Sequence, residues 1–280
     1  MKIGILGAES KHTDYFASLL NCRRLFPDME AAALWGGDCP QRISHCTEVG
    51  AIPAVCKTPE EVIAHSDGIL ITTRRGESHR RLAIECLQAG KPVFVDKPFS
   101  CTPEDALAII EESQRTGAPL MGGSTLCFLP QVEEFRERAR YCSKVKLSYA
   151  ADCDSPFGGW GFYGSHLTDL CSVICGMDAK SVRAVRMGST VEIEICYPGR
   201  HVTLYTKPDL EEPEVVFSSW GEERCRLPDF NRCYEYGMRA FADMMRGGLS
   251  RGTSRLLFST RLLAAVEQSL HSQEKISLVA

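Results

Sequence analysis

The sequence has no apolar run approaching the roughly 20 residues that a membrane-crossing helix needs. Its opening, Met1-Lys2-Ile3-Gly4-Ile5-Leu6, goes straight into a strand pattern without the longer apolar core of a secretory leader. Both absences argue against a membrane protein and lead us to expect a cytoplasmic one. A basic surplus is missing too: 32 Lys and Arg against 36 Asp and Glu leave a formal net charge of −4. The pairs Arg23-Arg24, Arg74-Arg75 and Arg80-Arg81 sit among apolar or acidic neighbours, so the phosphate-neutralising clusters of a nucleic-acid surface are not expected. The 14 cysteines include no Cys-x-x-Cys pair, and the chain is too large for a disulfide-stapled scaffold. Cys171 and Cys175, four apart, have no second close-spaced pair to complete a four-ligand metal set. The thiols therefore read as buried and reduced, and no metal is expected. Internal repeats and low-complexity tracts are absent as well.

What is present fits an ordinary globular protein. At 280 residues, 44% of them hydrophobic, the chain exceeds the commonest domain size, and we expect two domains, 1–123 and 124–280. Lys2 to Gly7 is a short apolar strand ending in glycine, and Thr13 to Leu20 has helical spacing. Strand, glycine turn and helix open a dinucleotide-binding unit. Of the three glycines in a G-x-G-x-x-G fingerprint only Gly7 stands, since Glu9 and His12 occupy the other two positions. Glu9 would repel a pyrophosphate, whereas Ser10, Lys11 and the helix amides would still cradle an anion. The alternative is a loop that has lost its nucleotide and keeps only the turn. Ala31 to Trp35 predicts a second strand leading to Asp38, about where an acidic side chain grips an adenosine ribose. A solvated turn aspartate reads equally well there. Asp38 would disfavour a 2′-phosphate and the nearby Arg42 would favour one, so NAD and NADP both stay open.

Strands and helices then alternate: a helix after Thr58-Pro59, the strand Gly68 to Thr73, a helix from His79 to Gly90, the strand from Val93, and a helix after Thr102-Pro103. This order implies a parallel sheet with right-handed crossovers. Gly7, Asp38, Thr72, Thr73 and Lys97 would share the rim at the strand ends, where such sheets bind ligands. The organising stretch is Val93-Phe94-Val95-Asp96-Lys97-Pro98, a buried strand that ends in a lysine held by proline. Apolar surroundings would lower that amine towards a usable general base, and Asp96 would pull the other way. Lysine-proline after a strand is otherwise a plain loop start.

In this order the motifs resemble those of the Gfo/Idh/MocA family of nicotinamide-dependent oxidoreductases. Asp96-Lys97-Pro98 resembles its strand-ending Glu-Lys-Pro, which supplies a catalytic lysine. Thr72-Thr73-Arg74-Arg75-Gly76-Glu77-Ser78-His79 resembles its threonine-proline loop and following histidine, without the proline, and Phe128-Leu129-Pro130 is similar to its Phe-x-Pro. The resemblance implies a cofactor-binding set of Gly7, Ala8, Ser10, Lys11, His12, Asp38, Thr72, Thr73, His79, Asp96, Lys97 and Pro98, with NAD or NADP as cofactor.

In the second half, Gln131 to Arg140 predicts an amphipathic helix, and a strand from Val145 leads to the glycine-rich Phe157 to His166. A helix is expected from there, with His166 at its glycine-preceded start and Asp169 one turn on, on the same face. That is either an acid/base pair or a capping histidine. The resemblance favours the first, because the family's Asp-x-Gly-x-His-x-x-Asp is matched by Gly164, His166 and Asp169. The leading aspartate is replaced by Phe162, which can carry no proton; Tyr163 is a weaker substitute donor. Five alternating stretches between Val182 and Leu227 predict antiparallel hairpins with one buried face. Two helices, about Arg232 to Arg246 and Ser254 to His271, close the chain. The expected fold is α/β: an N-terminal Rossmann-type parallel sheet plus a C-terminal α+β domain with a largely antiparallel, open-faced sheet. By resemblance that open face forms a homodimer or homotetramer.

The leading functional expectation is hydride transfer between a nicotinamide cofactor and a hydroxyl carbon of a sugar, cyclitol or related small polyol, a small-molecule polar substrate. Lys97, His166, Asp169 and Tyr163 would carry it. A catalytically impaired ligand-binding or accessory protein, or a redox-neutral lyase or glycosidase that retains NAD, are the alternatives.

Overall fold

Lys2–Leu6 forms β1, and its Ile3, Ile5 and Leu6 are fully buried. An apolar run without alternation suits a strand covered on both faces. The computed structural model describes residues 1–37, 39–227, 230–248 and 252–278. After β1 come α1 (Lys11–Ala17), prolonged by a π-helical turn over Ser18–Cys22, then β2 (Glu30–Trp35), α2 (Pro40–Gly50) and β3 (Ala54–Val55). They are followed by α3 (Pro59–Ala64), β4 (Gly68–Ile71), α4 (His79–Gln88), β5 (Val93–Val95), α5 (Pro103–Thr116) and β6 (Leu120–Gly122). Thr58 and Thr102 cap α3 and α5, each accepting from the backbone N–H three residues on, with proline at the first helical position. The six strands pair in the order β3-β2-β1-β4-β5-β6, all parallel. This is the strand order of a doubly wound dinucleotide-binding sheet.

The remaining elements are α6 (Pro130–Ala139), β7 (Lys144–Tyr149), α7 (Gly159–Ile174), β8 (Ser181–Met187), β9 (Thr190–Tyr197), β10 (Arg200–Thr206), β11 (Glu214–Ser218), β12 (Glu222–Arg226), α8 (Cys233–Met245), α9 (Thr253–Ser272) and β13 (Ile276–Ser277). The second sheet runs β12-β11-β7-β10-β9-β8-β13. All its pairs are antiparallel except β7 with β10, which a hairpin reading does not anticipate. On β9 Val191, Ile193, Ile195 and Tyr197 are buried, with the half-buried Glu192 and exposed Glu194 between them. The buried face is covered by α7, which packs on β7 and β10, and by α9, whose Ser269 hydroxyl accepts from the Ala184 N–H at 2.9 Å. On the opposite face Arg183 stands across from Glu194, and the Lys146 ammonium lies 4.4 Å from the centre of the Tyr205 ring.

The glycine-rich stretch before His166 is helix, not loop: α7 starts at Gly159, which places His166 in its interior rather than at its start. The glycines serve close packing. A Cβ on Gly161 would stand 2.2 Å from a Glu267 carboxylate oxygen, and one on Gly164 would stand 2.5 Å from the Trp160 ring.

The chain divides into two compact units, residues 1–125 with 234–253, and residues 126–233 with 254–280. A single boundary at 123/124 leaves α8 in the second domain, whereas here α8 from Tyr234 onwards groups with the first. Phe241, fully buried, meets Phe94 of β5 edge-on at 6.3 Å, and Arg246 pairs with Asp28 at 2.6 Å. No helix among the described residues is long and apolar enough to cross a membrane.

Candidate active site

The first cluster lies at the carboxyl ends of the parallel strands. Gly7, directly after β1, has φ +121°, and a Cβ there would stand 2.3 Å from the Thr73 backbone nitrogen. Any side chain at this position would collide with the neighbouring strand end. The Gly7 carbonyl lies 2.8 Å from the Thr13 hydroxyl and 3.1 Å from that of Thr72, and the two hydroxyls are 2.8 Å apart. Ser10 caps α1 by accepting from the His12 N–H at 3.2 Å, so its hydroxyl is engaged within the loop. Ala8 is buried and Lys11 is exposed. Arg42 is drawn onto the same loop: it donates to the Ala8 carbonyl at 3.0 Å, the Ser10 carbonyl at 3.3 Å and both Asp14 carboxylate oxygens at 3.0 and 2.9 Å. Asp38 lies outside the described residues.

At the end of β5, Asp96 and Lys97 are both buried, 2% and 5% exposed, and the Lys97–Pro98 peptide bond is cis. Burial pushes the Lys97 ammonium down to about 8, against the opposing pull of Asp96 and with help from Arg74. Burial works to raise the Asp96 carboxyl, but His12 and Lys97 outweigh it and hold the group below the usual carboxylate range. The contact responsible is direct: His12 Nδ1 lies 2.5 Å from Asp96 Oδ2, while Oδ1 is buried with no hydrogen-bond partner among the described residues. The His12 ring also meets Tyr234 of α8 edge-on at 4.9 Å. The histidine that replaces the third fingerprint glycine is thus tied to the carboxylate beside the lysine.

His79, fully buried at the start of α4, joins two loops. Its Nδ1 is 2.8 Å from the Pro98 carbonyl and its Nε2 is 2.9 Å from the Thr73 carbonyl. A neutral imidazole donates to one acceptor only, and the imidazolium to both. Thr73 also shares a 2.8 Å hydroxyl contact with Ser78. The rim residues read from the sequence therefore come together through Gly7, His12, Thr72, Thr73, His79, Asp96, Lys97 and Pro98. Arg42 as a clasp on the loop, and Tyr234 against His12, were not read. Tyr234 arrives from a helix more than 200 residues later and carries no local signal.

The second cluster belongs to the other unit and is built on α7. His166 is 6% exposed, and its ring lies 4.8 Å from that of Tyr149, whose phenol burial holds protonated well above the ordinary tyrosine range. Asp169, also buried, accepts from Arg255 of α9 at 3.2 Å. Its carboxylate, read from the sequence as the orienting group for His166, is thus also the anchor of a buried arginine. Phe162 packs between Phe157 and Tyr163, at ring distances of 5.5 and 4.8 Å. Tyr163 itself is half-buried.

A doubly wound parallel sheet with a side-chain-free turn after its first strand, and a buried lysine at the rim, defines a dinucleotide-binding Rossmann unit. Residues 1–124 match the model of the Gfo/Idh/MocA oxidoreductase family, NAD-binding Rossmann fold. The chain is 36% identical over 58 residues to inositol 2-dehydrogenase 2 of Saccharopolyspora erythraea, covering 21% of this chain and 17% of that one. It is 29% identical over 123 residues to inositol 2-dehydrogenase of Cereibacter sphaeroides, covering 43% and 35%. The matched stretches thus span about a third or less of those curated relatives. Over the whole length the fold is that of solved structures of a scyllo-inositol dehydrogenase from Lactobacillus casei (TM-score 0.86, 12% identity, 100% and 98% covered) and a probable dehydrogenase from Thermotoga maritima (0.82, 18%, 99% and 99%).

Proposed function

We propose that the protein is an NAD(P)-dependent dehydrogenase acting on a hydroxyl carbon of a sugar, cyclitol or related small polyol. The observation that carries this reading is Lys97: a buried amine at the strand rim, brought to about 8 mainly by its burial. The residues present fit a dinucleotide. The strand order β3-β2-β1-β4-β5-β6 and the positive-φ glycine turn directly after β1 are those of a dinucleotide-binding sheet. The nicotinamide group, when bound, supplies the hydride acceptor.

The chain's own residues handle the proton. Neutral Lys97 Nζ accepts the hydroxyl proton of the substrate as alkoxide character develops. Asp96, kept ionised by His12 and Lys97, restrains the lysine from losing its proton far below neutrality. His79 fixes the loop that follows Lys97 through the Pro98 carbonyl. Within the second unit, His166, Asp169 and Tyr163 are the residues we assign to proton handling. Phe162 at the usual acidic position leaves the lysine as the main base. The 14 free thiols support a reducing, cytoplasmic setting, and we read the exposed face of β8 to β10 as the contact of a homodimer or homotetramer.

The test is titration of the purified protein with NADH and NADPH by fluorescence, followed by a polyol panel. NADH binding with polyol oxidation that Lys97→Ala lowers by about 10²- to 10⁴-fold is the expected result. Cofactor binding with no turnover of any polyol would return the reading of an impaired or accessory protein.

A further inference from the structure

We propose that Glu9 accepts the hydroxyls of the cofactor's adenosine ribose and so makes this chain select a 2′-hydroxyl over a 2′-phosphate dinucleotide; this rests on the dinucleotide reading above. Glu9 stands at the second glycine position of the phosphate loop, where a carboxylate aimed at the pyrophosphate would repel it. Its side chain is turned elsewhere. The Oε1 atom lies 3.8 Å from the point where a Cβ on Gly37 would stand, against the turn that follows β2. In this fold the end of the second strand is where an acidic group meets the ribose.

Three further observations favour a ribose. Glu9 Oε2 is buried and accepts no hydrogen bond from the described residues. A buried carboxylate oxygen without a donor is costly, and a ligand hydroxyl at that point would supply one. Arg42, the basic side chain that would serve a 2′-phosphate, is committed to both Asp14 oxygens and to the Ala8 and Ser10 carbonyls. Arg74 donates to the Glu9 carbonyl and so holds the residue in place from the β4 side. Negative charge at the ribose corner, with Arg42 already paired to Asp14, opposes a phosphate there.

Fluorescence titration of NADH and NADPH against the wild-type chain, Glu9→Gln and Asp38→Asn decides the matter. The wild type is expected to favour NADH by about tenfold or more. Glu9→Gln is expected to weaken NADH by about ten- to a hundredfold, the loss of a hydrogen bond to a charged group, and to narrow the ratio. A wild type that binds both nucleotides equally overturns the proposal whatever the variants do. So does a ratio that moves in Asp38→Asn but not in Glu9→Gln, which gives the ribose to Asp38. Wild-type protein that binds neither nucleotide overturns the dinucleotide reading itself.

Discussion

Lys97 is set by opposed influences: burial and Arg74 push the ammonium down, and Asp96 pushes it up, to a result of about 8. The sign of the pH dependence follows. The neutral amine is the base, so kcat/KM for polyol oxidation rises with pH through about 8 and levels off above it. Asp96→Asn removes the group that raises Lys97, so the rising limb moves to lower pH; a limb that stays put, or moves to higher pH, would contradict this account. The same substitution takes away the partner of His12, which lies 2.5 Å away. Asp96-Lys97-Pro98 was legible as a motif because its function depends on adjacent residues. The pairing of His12 with Asp96, 84 positions apart, was not.

Among the elements, α8 shows what periodicity does and does not say. Its extent, Cys233–Met245, lies within a residue of the stretch expected from apolar spacing and the Gly247 stop, where φ is +90°. Its packing partner carries no such trace, because any apolar stripe satisfies any apolar surface of similar shape. The structure sets Phe241 against Phe94 of β5, and a Cβ on Gly68 at the head of β4 would stand 2.4 Å from Met245 Sδ. Phe241→Ala in the full chain is therefore expected to lower stability by about 3–5 kcal/mol, read by urea unfolding with NADH binding as the probe. A loss under about 1 kcal/mol would mean that α8 contributes little to this unit. The α7 start was misread for a related reason: glycine clusters signal turns in isolation, while Gly164 lies against the Trp160 ring, which leaves no space for a side chain.

At the scale of the whole molecule, two units and two sheets follow from composition and pattern, and the second sheet leaves one face open. That face mixes Arg183, Glu192, Glu194 and Thr203 with the half-exposed Val185 and Met187, 47% and 52% exposed. If it is the homo-oligomeric contact, light scattering should give a mass of two or four chains, and Val185→Glu with Met187→Glu should return the monomer mass. A monomeric wild type at micromolar concentration would remove that reading.

The sequence by itself determined the alternating elements, the parallel first sheet, the lysine at its rim and the histidine on the α7 helix, since each rests on residues close together in the chain. Tertiary structure alone decided that α8 returns to the first unit, that Arg42 is spent on the phosphate loop, that Glu9 turns towards the end of β2, and that Asp169 holds Arg255. Local order follows from backbone preference and apolar period. The pairing of distant charges follows from which side chains the folded backbone brings within a few ångströms, and no spacing along the chain encodes that.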